Sequence, residues 1–89
     1  MEELTLDDIR IALSEMGVKA DMPDDEFEMS SFQKDLKMDK IGVLMLIEAL
    51  ESIHNIFLPS GLEMSLSHNA TVGMFIKSAN RFKIDRIPR

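Results

Sequence analysis

The chain has 89 residues, is 45% hydrophobic and 29% charged, and carries sixteen acids against ten bases for a net charge of −6. That size and apolar content suit one folded domain with one modest core and exclude a disordered chain. The acidic balance disfavours nucleic-acid phosphates and favours basic protein surfaces, and the absence of cysteine excludes disulfides, thiolate zinc sites and cysteine nucleophiles.

The opening MEELTLDDIR is acidic and lacks the basic start and apolar run of a signal peptide. No stretch reaches membrane-spanning length. The expected location is therefore the cytoplasm, with no membrane span.

A first helix starts at Thr5, whose hydroxyl can cap it with Asp8 three residues on. Leu6, Ile9, Leu13 and Met16 follow with helical spacing until Gly17 offers a stop. Between Val18 and Met38 the periodicity disappears. Residues 21–28, DMPDDEFE, carry five acids and no base, and Pro23 among them speaks against a regular element. The expectation is one long loop, with Phe27, Phe32 and Leu36 pinning it to the core.

A second helix is predicted from about Lys40 to Ile53, with Asp39 as its N-cap. Ile41, Leu44, Leu46, Ile47, Leu50 and Ile53 cover more than half its circumference, so the helix is either central to the core or partly open as an interaction surface. Pro59, Ser60 and Gly61 break the chain, and Leu62, Met64 and Leu66 suit a short third helix. Thr71 caps a fourth, with Val72, Phe75, Ile76 and Ala79 inward. No strand pattern is visible. The chain divides into a helical domain, 1–83, and a basic C-terminal tail, 84–89.

Several residues taken together resemble the acyl carrier protein family, the small acidic helical domains that carry acyl chains on a 4'-phosphopantetheine arm. They are Phe32, Asp35, Leu36, Asp39 and Ile41, then Glu48-Ala49-Leu50-Glu51, Leu58-Pro59 and Thr71-Val72. The resemblance implies an all-α, acyl-carrier-like four-helix bundle with a long loop between helices 1 and 2 and a short third helix. It also implies a serine directly after Asp39, where the arm is attached through a phosphodiester.

This chain has Lys40 there. A protonated amine can neither form that phosphodiester nor act as a nucleophile, so no cofactor is expected. Neither Ser30, Ser31 nor Ser52 follows an aspartate at a helix start. Gly42 and Met45 stand at positions often acidic in the family, leaving Glu48 and Glu51 and a greasier second helix that favours contact by apolar burial.

The function implied is a binding module of a fatty-acid, polyketide or related acyl pathway. It would dock on enzymes or carriers through the second helix, with Met38, Ile41 and Met45 in apolar contact and Asp35, Asp39, Glu48 and Glu51 facing basic groups. Two alternatives remain: a genuine carrier modified at another residue, and a self-associating bundle whose second helix forms a homodimer. His54 and His68 have no ligand spacing and no metal is expected, with His54 read as a hydrogen-bonded structural residue. The acid cluster lacks the glycine and ligand spacing of a calcium loop. Nothing in the chain argues for an enzyme.

Overall fold

A computed structural model describes residues 3–59, 62 and 70–85. The described chain is mostly helical, with four helices and one short two-stranded ribbon: α1 (Leu6–Glu15), α2 (Asp24–Met29), α3 (Lys40–His54), β1 (Ile56–Phe57), α4 (Val72–Phe82) and β2 (Ile84–Asp85).

Helix α1 begins where local chemistry dictates. The Asp8 amide donates to the Thr5 hydroxyl, and the Thr5 amide donates back to the Asp8 carboxylate at 2.9 Å, a complete capping box. Leu4 and Ile9, on either side of the cap, are both buried. At the other end Gly17 takes φ +80°. Val18 then donates to the Leu13 carbonyl at 2.9 Å and Gly17 to that of Ser14 at 3.0 Å, the paired bonds of a Schellman stop. Ile9, Ala12 and Leu13 face the core, with Leu6 and Met16 packed at its edge.

The stretch expected to be one long loop contains α2. Pro23 starts this helix instead of preventing one: its carbonyl accepts the Phe27 amide at 2.8 Å, and Asp24, Asp25 and Glu26 fill the first turn. Carboxylates there complement the positive end of the helix dipole, so the acid run favours a helix start. The link from α1 is held by Arg10. Its guanidinium donates to the carbonyls of Ala20 and Met22 and to Asp24 at 2.9 Å, and lies 4.4 Å from the centre of the Phe27 ring. Phe27 is fully buried, and Phe32 and Leu36 are buried as expected.

Asp39 caps α3 through its side chain, which accepts the Gly42 amide at 2.8 Å. The helix runs to His54 and stops at Asn55, which takes the left-handed conformation. Val43, Leu46, Ile47 and Leu50 fill the core, but Ile41, Leu44 and Ile53 do not. Of the predicted short third helix, residues 63–69 lie outside the described residues. Leu62 is buried, and its amide donates to the Pro59 carbonyl at 3.1 Å.

Thr71 caps α4, whose Val72, Phe75 and Ala79 are fully buried. Phe75 meets Phe32 edge-to-face with ring centres 5.5 Å apart, a geometry that aligns ring edge with ring face. The Asn80 amide group brackets Leu4, accepting its N–H at 2.7 Å and donating to its carbonyl at 3.0 Å, which ties the start of the chain to α4.

The expectation of no strands is corrected by the antiparallel ribbon, in which Ile56 faces Asp85 and Phe57 faces Ile84. Two-residue strands are too short to show a period-two pattern. The pairing also means that residues 84 and 85 belong to the folded unit and not to a tail.

Candidate functional site

Of the residues behind the family resemblance, Phe32, Asp35, Leu36, Asp39 and Ile41 lie in the loop before α3 and in its first turn, whereas Glu48 to Glu51 lie further along the helix and Leu58 beyond its end. The loop before α3 is strapped to α4: Val72 donates to the Ser30 carbonyl at 2.9 Å, Phe32 donates to that of Ala70 at 3.3 Å, and Ser31 and Thr71 form an isolated antiparallel bridge. Within the loop the Met38 amide returns to the Phe32 carbonyl at 2.7 Å, and Lys37, just before it, sits at φ +57°. That left-handed turn costs a non-glycine residue about 1–2 kcal/mol. It delivers the chain to Asp39 and Lys40 in a set direction.

The turn also overturns one expectation. Met38 does not face outward: it is only 6% exposed and belongs to the core cluster. A Cβ built on Gly42 would lie 3.4 Å from that of Met38, so the methionine packs under the first turn of α3.

Lys40 is exposed as the first residue of α3. Beyond it Ile41 is 67% exposed, Met45 52% and Leu44 40%, with Glu48 also exposed. Spacings of three and four residues put these side chains on one face of the helix, opposite Val43, Ile47 and Leu50. Of the two outcomes open for this helix, the structure shows the partly open one.

The acids are largely engaged within the chain. Asp35 accepts the Ser31 amide at 2.8 Å, Asp39 caps α3, and Glu51, half-buried, accepts the Leu58 amide at 2.8 Å. Of the acids expected to meet a partner, only Glu48 lies on the open face of α3 without a backbone amide to hold. Sequence reasoning passed over Lys34 and Lys37, which are exposed in the loop beside Lys40. Their spacing of three residues was the available signal.

His54 Nε2 stands 3.8 Å from Asp8 Oδ1, joining the end of α3 to the start of α1 at a separation longer than a hydrogen bond. His68 lies outside the described residues. Among the described residues no group of three His, Cys, Asp or Glu side chains could hold a metal ion, and no helix is long and apolar enough to cross a membrane. An open cleft of about 630 Å³ is lined by Met29, Met74, Ile76, Lys77 and Arg81 among others, but by none of the residues around Lys40.

Comparison with known proteins places no relative beside this chain: no family model, no curated protein and no solved structure matches it.

Proposed function

We propose that this chain is an acyl-carrier-like binding module of a fatty-acid, polyketide or related acyl pathway, one that cannot take the phosphopantetheine arm and works by docking through α3. The observation that carries the reading is the open apolar face of Ile41, Leu44 and Met45 directly after the carrier position, on a helix whose opposite face is core. Contiguous apolar surface of this kind marks contact sites.

Lys40, Ser30, Ser31 and Ser52 do not fit covalent attachment of the arm. The carrier position holds the ammonium of Lys40. Ser30 and Ser31 are buried, with the Ser30 hydroxyl donating to the Glu26 carbonyl and that of Ser31 accepting the Lys34 amide, both at 2.9 Å. Ser52 is exposed, but it sits near the end of α3 and follows no aspartate. Nothing in this reading makes the chain an enzyme.

The test is the intact mass of the chain after incubation with coenzyme A and a broad-specificity phosphopantetheinyl transferase, beside Lys40→Ser. The expected result is that only the variant gains the arm. Modification of the native chain would transfer the role to a genuine carrier with another attachment site. If neither reacts, the carrier-like reading is lost.

A further inference from the structure

The docking surface is described incompletely by its apolar residues, because its charge differs from that of the chain around it. From Gln33 to Met45 there are three lysines against two aspartates, in a chain of net charge −6. Both aspartates have an oxygen on a backbone amide, Asp35 on Ser31 and Asp39 on Gly42. Lys34, Lys37 and Lys40 are all exposed, and among the described residues no carboxylate lies within ion-pair distance of any of them. The segment that leads into Ile41, Leu44 and Met45 therefore carries three exposed, unpaired lysines against two aspartates that each hold a backbone amide, with Glu48 one turn further along.

We propose that this basic rim and apolar centre form a docking site for an acidic amphipathic helix of another protein. The partner would seat apolar anchors on Ile41, Leu44 and Met45 and place carboxylates against Lys34, Lys37 and Lys40. The inference rests on the reading that α3 is the docking helix, and it reverses the charge expected of the partner.

Complementary charge sets orientation and association rate, while burial of the central apolar residues supplies most of the affinity. A nucleic acid would match the lysines but would leave the apolar centre unfilled and would meet a net-negative protein. The loop that bears the cations is already fixed by its bonds to α4 and by the Phe32–Phe75 contact. Docking therefore spends little on ordering it.

The experiment is an NMR titration of the isotope-labelled full chain with two synthetic leucine-anchored helical peptides of identical pattern, one flanked by glutamates and the other by lysines. The glutamate peptide is expected to shift resonances between residues 34 and 48, with affinity falling as salt is raised. The lysine peptide is expected to bind far more weakly. Replacing all three lysines together, Lys34→Glu, Lys37→Glu and Lys40→Glu, weakens the glutamate peptide roughly tenfold or more. Met45→Glu, which leaves the lysines in place, weakens it too.

Tighter binding of the lysine peptide, no binding of either, shifts confined to the cleft between α2 and α4, or an affinity unchanged in the triple variant would each overturn the proposal. So would stable binding to phosphatidylserine vesicles without peptide binding. The two readings fail separately. If Lys40→Ser accepts the arm but the glutamate peptide does not bind, the partner chemistry is wrong and the carrier-like reading stands. If the peptide binds but Lys40→Ser stays unmodified, the basic docking face stands without a carrier ancestry.

Discussion

Gly42 and Gly73 offer the same chemical change in two helices with opposite expected outcomes. Alanine in place of glycine inside a helix gains about 1 kcal/mol from backbone propensity alone. At Gly42 the new methyl would meet Asp39 Oδ1 and Met38 Cβ at 3.4 Å, close to ordinary contact. Most of the gain should survive, and Gly42→Ala is expected to stabilise the fold by roughly 0.5–1 kcal/mol. At Gly73 the methyl would lie 2.7 Å from Glu28 Cγ and 3.1 Å from the Glu28 backbone oxygen. The side chain can swing away, but the backbone of α2 must shift. Overpacking of that kind costs about 1–3 kcal/mol, so a net loss near 1 kcal/mol is expected for Gly73→Ala. Urea unfolding followed by circular dichroism measures both, and thermal midpoints should separate because 1 kcal/mol moves Tm by about 4–8 °C in a domain of this size. The reasoning is refuted if Gly73→Ala is as stable as Gly42→Ala. The α2–α4 contact lies beside the straps that hold the loop before α3.

The two methionines flanking Lys40 should separate stability from binding. Met38→Ala removes a core side chain and is expected to cost about 2–4 kcal/mol in urea unfolding, whereas Met45→Ala stays within about 0.5 kcal/mol; equal losses would refute the burial pattern. Lys37 tests the turn itself. Lys37→Gly is expected to leave stability within about 1 kcal/mol, since relief of the left-handed strain is offset by the wider freedom of glycine in the unfolded chain. Lys37→Val should lose about 1–3 kcal/mol because a β-branched residue resists that conformation. A neutral result for valine in the same unfolding assay would remove the turn from the account of how Met38 is buried.

The helix starts at Thr5, Asp39 and Thr71 were legible because capping is chemistry between residues three apart, visible in any window of the sequence. Helix α2 was not, because Pro23 and the acids after it suit both a breaker and a helix start. The choice is made by Phe27 entering the core and by Arg10 gripping the link through contacts that span ten to fourteen residues. The β1–β2 ribbon joins segments nearly thirty residues apart through two-residue strands, which leaves no local trace. At the candidate site, the positions of Lys40, Ile41, Met45 and Glu48 on one helix followed from spacing. The inward turn of Met38 did not, because it depends on a left-handed lysine, and only glycine or asparagine would have advertised such a turn.

The place of Lys40 makes physical sense only with its surroundings. A lysine in the first turn of a helix opposes the dipole and gains nothing from the N-cap, so local stability does not select it. Asp39 already supplies the cap, and the core beneath is filled by Met38 and Val43, neither of which depends on position 40. With Lys34 and Lys37 it makes a third exposed lysine in the segment that leads into the open residues of α3, where Asp35 and Asp39 hold backbone amides. A serine would leave that segment one cation short and would place a hydroxyl where the proposed carrier-like reading needs one. Under the proposed reading, the residue that rules out the arm also adds a cation to the surface proposed for an acidic partner, and the modification and peptide-binding experiments address the two halves of that proposal.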